Sequence, residues 1–283
     1  MNSLTSTYTL VNGVQIPCVG FGTWQTPDGK VAEESVIAAL ASGYRHIDTA
    51  AIYGNEQSVG DGIKKSGVPR DEIFITTKLW NDAHAYDLVK PAFETSMKKL
   101  GIDVLDLYLI HWPNPLALRD RFEESMKETW MAMEELYKEG KIRAIGVSNF
   151  RVHHLEYLET FATIRPMVNQ IRIYPGSLNM ETIEYCKERD ILLQAYSPLG
   201  TGRLLGAEKL IEIADKYKVS VAQLCIRWSL QKGFNPLPKS VHADRIKANA
   251  DVFGFEISKE DMDLLTNVPN YGDPESDPDN RNF

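Results

Sequence analysis

The chain has 283 residues, 43% of them hydrophobic and 25% charged, the make-up of a globular protein that folds in water; no apolar run is long enough to span a bilayer. A net charge of −8 and a pI near 5.4 exclude a global attraction to nucleic-acid phosphates, while leaving room for a local basic pocket that holds a small anion. The start, MNSLTSTYTL, lacks the basic region and apolar block of a secretory leader, and Cys18, Cys186 and Cys225 are odd in number and widely spread, so a reducing cytoplasm is the expected setting.

Residues 8–17 read as two extended pieces around Asn12-Gly13, a pair that readily takes the positive φ angles of a tight turn, and a capping hairpin is expected there. Next comes VGFGTW, an apolar strand ending in glycines, and then a helical stretch, 29–42, in which Val31, Ser35, Ala38, Ala39 and Ser42 share a face. The pattern repeats: HID before 56–66, IFITTKL before 86–100, VLDLYLIHW before 122–139, IRAIGVSNF before 152–161, MVNQIRI before 180–189, ILLQAYSPLG before 207–231 and NPLPKS before 243–251. That makes eight strand–helix units.

Strands alternating with helices pair in parallel, because each helix carries the chain back to start the next strand in the same direction. Eight units match a closed barrel, whereas a doubly wound sheet would have fewer strands and a phosphate loop after the first; GFGTW does not fit GxGxxG. The expected fold is α/β, one (β/α)8 TIM barrel over 1–283 with the N-terminal hairpin at 8–17. An extra helix is expected at 258–267, opened by a Ser-x-x-Asp cap and carrying apolar Met262, Leu264 and Leu265. The tail, 268–283, is rich in Pro, Asp and Asn; it is expected to be irregular, either lying over the barrel mouth or disordered.

In a parallel barrel the C-terminal strand ends open onto one face, so polar groups there converge however far apart they stand in sequence. Asp48 ends the second strand with Tyr53 just beyond, Lys78 ends the third and His111 the fourth. Taken singly, each has an ordinary reading: a cap, a loop aromatic, a solvated strand end, a satisfied core histidine. Together they are harder to dismiss, because a lysine and a histidine directly after buried strands are costly unless paired. Asp48 is the natural partner of Lys78. A tyrosine with an ordinary pKa of about 10 is a poor proton carrier at neutral pH, and a nearby ammonium is expected to lower that value. Lys78, kept charged by Asp48, would then make Tyr53 a better general acid, with His111 orienting a carbonyl oxygen or relaying the proton. Such a set suits protonation of a carbonyl as hydride reaches its carbon.

With these residues in hand, the sequence closely resembles the aldo-keto reductase family. The resemblance rests on GFGTW, HIDTAAIYGNE, TTKLW, LIHWP, GVSNF, the pair Asn169-Gln170, YSPLG and PKS, in that order over nearly the whole chain. It implies that Asp48, Tyr53, Lys78 and His111 are a catalytic tetrad. Hydroxyl and amide groups at Ser148, Asn149 and Gln170 could bind a carboxamide and Tyr196 could stack on a ring; the resemblance assigns the first three to a nicotinamide carboxamide and the fourth to its ring face. Gly22, Thr23 and Asp48 join the cofactor side by the same resemblance, and Ser197, Leu199 and Gly200 sit where the family wraps the pyrophosphate. Lys239, Ser240, Val241 and Arg245, with Asn249 four residues on from Arg245, resemble a 2′-phosphate and adenine site. That favours NADPH, with NADH the weaker alternative.

Two departures from the family pattern stand out. Ala248 occupies a position that is often glutamate, and Arg172 and Tyr174 replace an acid and a histidine in NQIRIYP. Trp24, Trp80 and Trp112 follow strand ends and, with Tyr53 and His111, resemble the walls around the family's carbonyl substrate. The implied activity is reduction of small aldehydes, ketones or keto sugars by a cytoplasmic monomer, without a metal, a membrane or nucleic acid. The alternatives are a nucleotide-binding sensor or regulatory barrel with little turnover, and a metal-dependent barrel hydrolase. The second would need more histidine and carboxylate ligands at the mouth, where His111 alone among the histidines ends a strand.

Overall fold

The computed structural model describes residues 1–274 and 277–283; Glu275 and Ser276, part of the expected tail, lie outside the described residues. A small antiparallel hairpin, β1 (Thr7–Thr9) and β2 (Gln15–Pro17), precedes a parallel sheet of eight strands. These are β3 (Phe21–Gly22), β4 (His46–Asp48), β5 (Phe74–Leu79), β6 (Leu105–Ile110), β7 (Ile142–Ser148), β8 (Val168–Arg172), β9 (Leu192–Tyr196) and β10 (Asn235–Leu237). They pair in sequence order. The seam between the first and last is closed by Gly20 N–H donating to Pro236 O and Gly22 N–H to Pro238 O, both at 3.0 Å. With its edges joined, the sheet is a barrel.

Helices α1 (Lys30–Ala41), α2 (Glu56–Ser66), α3 (Tyr86–Leu100), α4 (Phe122–Lys138), α5 (Val152–Glu159) and α6 (Met180–Glu188) return the chain between successive strands. After β9 come α7 (Glu208–Tyr217) and α8 (Val221–Gln231), and after β10 come α9 (Ala243–Ala250) and α10 (Lys259–Thr266). Helices outside and side chains inside bury both faces of the strands, so every residue of β5 and β6 is buried.

Three local expectations are corrected. The buried face of α1 is Ala32, Ser35, Val36, Ala39 and Leu40 rather than the stripe through Val31, Ala38 and Ser42. Val36 and Leu40 carry more apolar area, and burial follows area. The stretch 207–231 is two helices. Lys218 takes φ 57° and ends α7, and Ser220 opens α8 with a capping box in which its side chain and that of Gln223 each accept the other's backbone N–H. In α10 the Ser258 cap holds as expected, but Leu264 faces solvent while Leu265 is buried.

The two ends of the barrel are closed differently. Under the N-terminal strand ends the hairpin buries Leu10 and Ile16, and Tyr8 Oη donates to Phe234 O at 2.9 Å; of the turn pair, Gly13 takes the positive φ, 87°. Over the C-terminal strand ends lies the tail, whose last residue packs its ring against Trp80 and Trp112.

The seam has no room to spare at Gly20, where an added Cβ would sit 2.5 Å from His46 Nδ1 and from Leu237 Cδ2. His46 is itself wedged against Phe74 and hydrogen-bonded to Thr76. Gly20→Ala is therefore expected to lower the unfolding free energy by about 1–3 kcal/mol. A urea titration checks it, and an unchanged midpoint would show that the seam gives way freely.

Candidate active site

Strand ends and short turns bring Asp48, Tyr53, Lys78 and His111 together at the open mouth. Asp48 ends β4, and its carbonyl accepts from both the N–H and the Oγ1 of Thr23, each at 3.0 Å, so the end of β3 is pinned beside it. Tyr53 closes a single 3-10 turn, Ala51–Tyr53, which Gly54 ends at φ 71°. Asn55 holds that loop. Fully buried, it donates to Thr23 O and Thr26 O, both at 3.0 Å, and accepts from Thr49 Oγ1 at 3.1 Å. Glu56, also buried, accepts from Thr77 Oγ1 and Ser96 Oγ. Both lay in the motif HIDTAAIYGNE, whose Asn-Glu end marked only a helix start.

Lys78 is completely buried. Its ammonium donates to Asp48 Oδ1 at 2.7 Å, to Thr49 O at 2.8 Å and to Tyr53 Oη at 3.4 Å. Three acceptors match the three donors of an ammonium. Burial draws its pKa below the ordinary value and the Asp48 carboxylate opposes that pull. Asp48 Oδ2 accepts from Gln170 Nε2 at 2.8 Å, so each carboxylate oxygen has a donor.

The Tyr53 phenol corrects an expectation. Its pKa stands well above 10.0 rather than below, because enclosure of the hydroxyl and the nearby Asp48 charge both disfavour the phenolate. Lys78 does not reverse the sum. Tyr53 thus holds its proton firmly at rest. His111 packs its ring edge-on between Tyr53, at 5.7 Å, and Trp80, at 5.2 Å. Burial, then Lys78 and His84, hold its pKa well below 6.5. It is a neutral imidazole, so a relay through a charged ring is set aside and an orienting N–H remains.

The expected cofactor residues satisfy one another. Ser148 Oγ donates to Gln170 O at 2.8 Å, Asn149 Nδ2 to His111 O at 3.0 Å, and Tyr196 Oη to Asn149 Oδ1 at 2.8 Å. Asn149 and Ser197 take positive φ, 62° and 49°. Leu199 and Gly200 lead into a 3-10 segment, Gly200–Gly206. Lys239 Nζ reaches Gln25 O at 3.0 Å, and the buried Ser240 accepts from His242 N–H just before α9. Val241 and Arg245 are exposed there while Asn249 is buried. Gly22 sits at the seam and Thr23 beside Asp48. Lys239 and Arg245 beside the start of α9, the positive φ at Ser197 after Tyr196 and a shelf of amides fit a nicotinamide dinucleotide.

On the substrate side, Trp80 and Trp112 flank Phe283, with centroids 5.6 and 5.2 Å away, and the Arg281 guanidinium lies 5.3 Å from the Trp112 ring. Trp24 joins none of these ring contacts and is 45% exposed. Sequence reasoning missed Phe283, which is remote in sequence from both tryptophans. The departures Arg172 and Tyr174 also serve the tail: Arg172 Nη1 donates to Pro274 O at 2.6 Å, and Tyr174 Oη bonds Asn270 Oδ1 and Asp273 O, both at 3.0 Å. Asp273 in turn pairs with Arg203 and accepts from Thr201 on the loop after β9. Ala248, exposed on α9, has no visible consequence.

His153, His154 and Asp279 form a cluster at the rim with the spacing of metal ligands. Its hydrogen bonding points elsewhere. Arg151 N–H donates to His154 Nδ1 at 3.0 Å, so the neutral ring carries its proton on Nε2 and donates it to Asp279 Oδ1 at 3.0 Å. The cluster fastens the tail to α5.

Residues 18–269 match the model of the Aldo/keto reductase family. The chain belongs to this family. It is 53% identical to a glyoxal reductase of Bacillus subtilis (strain 168) over 93% of this chain and 92% of that one. Among solved structures, the aldo-keto reductase MGS-M4 from a deep-sea metagenome superposes with TM-score 0.92 at 43% identity, covering 98% of this chain and all of the other. An aldo-keto reductase of Bombyx mori, solved with NADP, superposes with TM-score 0.86 at 35% identity, covering 96% and 95%. In this aldo-keto reductase, Lys78→Met would strand Asp48 as a buried charge, a loss of about 3–5 kcal/mol in stability. Adding Asp48→Asn should restore part of it in a denaturation titration; a double variant no more stable than Lys78→Met would show that the pair is not the cause.

Proposed function

We propose that the protein reduces the carbonyl group of small aldehydes, ketones or keto sugars with NADPH, and that Tyr53 gives the proton. The observation that carries the reading is the Asp48–Lys78–Tyr53 line, with Lys78 Nζ 2.7 Å from the carboxylate and 3.4 Å from the phenol oxygen. A reduced nicotinamide supplies hydride when bound. The protein's own groups do the rest. As the substrate oxygen gains negative charge, Tyr53 passes it the phenolic proton, and the new phenolate faces the Lys78 ammonium, whose position Asp48 and the Thr49 carbonyl hold. Neutral His111 has one ring N–H to direct the oxygen toward Tyr53. Trp80, Trp112 and Phe283 form a wall that keeps water from the reacting carbon.

A phenol held above its ordinary pKa suits this role, since a donor must keep its proton until the carbonyl oxygen becomes basic. Lys239, Ser240 and Arg245 at the start of α9 would hold the 2′-phosphate, where the helix N-terminus adds its own attraction for anions; NADH would be the weaker cofactor. Ser148, Asn149, Gln170 and Tyr196 would hold the nicotinamide, and Ser197, Leu199 and Gly200 the pyrophosphate. The same reading makes the protein a cytoplasmic monomer whose three buried cysteines stay free. The line of groups reaching Tyr53 weighs against a sensor with little turnover.

Tyr53→Phe is expected to cut kcat by roughly 10²- to 10⁴-fold while NADP+ still binds, read by cofactor absorbance and fluorescence titration. Wild-type turnover in that variant would remove Tyr53 from the acid role. The kcat for reduction should be level from about pH 6 to 9, because His111 titrates below that window and Tyr53 above it. An inflection near the ordinary histidine value would contradict the neutral imidazole. Lys239→Ala should weaken NADPH far more than NADH, and equal losses would argue against a 2′-phosphate contact.

A further inference from the structure

The interior of a parallel barrel is ordinarily filled by layers of branched apolar side chains. Here three amides stand side by side at one level of it. Gln170 on β8 is the register partner of Gln194 on β9, and Gln194 is the partner of Asn235 on β10. All three are buried, Gln194 and Asn235 completely. Buried amides are costly unless hydrogen-bonded, and each of these is.

Asn235 Nδ2 donates to Pro17 O at 2.9 Å, Gln194 Nε2 to Asn235 Oδ1 at 2.9 Å, and Gln170 Nε2 to Gln194 Oε1 at 3.0 Å. At the far end Gln170 Nε2 also donates to Asp48 Oδ2 at 2.8 Å. The orientation of a single side-chain amide is normally open to a flip. In this row it is not. The Pro17 carbonyl can only accept, so Asn235 must turn its NH2 group down to it and its oxygen toward Gln194. Gln194 must then present NH2 to Asn235 and oxygen to Gln170, and Gln170 must present NH2 to Gln194. The Asp48 carboxylate, which accepts from Lys78 on its other oxygen, demands the same orientation of Gln170 from the other side. Two obligate acceptors, one on the hairpin under the barrel and one in the active site, set every amide between them.

Gln170 spends both amide protons in this arrangement, and among the described residues its Oε1 has no donor. That oxygen is left as a pure acceptor at the cofactor end. We propose that Gln194 and Asn235 are positioning residues: through Gln170 they fix an acceptor for the N–H of the nicotinamide carboxamide, and they brace Asp48 against Lys78. The inference rests on the cofactor reading above. Neither residue touches the reacting atoms.

The test compares two ligands by quenching of tryptophan fluorescence: NADP+, which carries the carboxamide, and adenosine 2′,5′-bisphosphate, which lacks the nicotinamide half. Gln194→Met keeps the length of the side chain and removes both of its bonds. It should weaken NADP+ roughly tenfold, the worth of about one oriented hydrogen bond, and leave the bisphosphate unchanged. Gln194→Glu, kept protonated by burial, still offers an acceptor to Gln170 and a donor to Asn235, and should bind NADP+ like wild type. Equal weakening of both ligands in Gln194→Met, or a loss in Gln194→Glu as large as that in Gln194→Met, would overturn the proposal in favour of a packing role. Unchanged NADP+ affinity in Gln194→Met would overturn it too. If that variant does not fold, Asn235→Ala, which deprives the Gln194 NH2 group of its acceptor, carries the same comparison. A wild-type protein that binds the bisphosphate but not NADP+ would sink the nicotinamide reading itself, a result distinct from the others.

Discussion

The buried ion pair between Lys78 and Asp48 is the constraint around which the rest is arranged. A lysine with no solvent exposure is among the costliest residues a barrel can hold, and its attraction to one carboxylate does not by itself offset two desolvated charges. The protein meets the cost with hydrogen bonds. Asp48 has Lys78 on one oxygen and Gln170 on the other, while Lys78 has Asp48, a backbone carbonyl and the Tyr53 phenol. What remains poorly compensated is the phenol side, with the longest of these contacts. That is where a developing negative charge would be welcome, and a site built this way favours the charge distribution of a transition state over that of the resting state.

The barrel's two ends divide the work of stability and function. Underneath, the hairpin buries its apolar residues and hands the Pro17 carbonyl to Asn235. On top, the tail is held by polar fastenings, Arg172 and Tyr174 near its start and Asp279 with the paired histidines near its end, and by the packing of Phe283 against the tryptophans. Asp273 also ties the start of the tail to the loop after β9, the loop proposed for the pyrophosphate. The amide row runs between these ends, so a residue on the floor of the barrel bears on an oxygen at its mouth.

Much of the site was legible because a parallel barrel converts sequence order into convergence. Once eight units are counted, Asp48, Lys78 and His111 must share a face, since each stands at or beside the end of a strand, and no distance is needed to pair the acid with the lysine. Magnitudes and signs were not legible. The expected lowering of the Tyr53 pKa weighed one ammonium and omitted enclosure, which depends on everything packed around the hydroxyl. The break at Lys218 was in principle readable from Ser220 and Gln223, but apolar periodicity runs through it. Arg172, Tyr174, Gln194 and Phe283 had partners 24 to 203 residues away on other elements, and nothing local to them announces a contact.

The stretch HIDTAAIYGNE and the strand ends that follow it were enough to determine the fold class, the parallel order and the identity of the groups at the mouth, because these depend on local patterning and on the fixed polarity of parallel strands. Tertiary structure decided what those groups can do: that Tyr53 keeps its proton, that His111 is neutral, that Trp24 is exposed, and which way Gln170 points. Protonation and amide orientation are set by solvent exclusion and by partners brought in from distant strands, and neither exists until the barrel has closed.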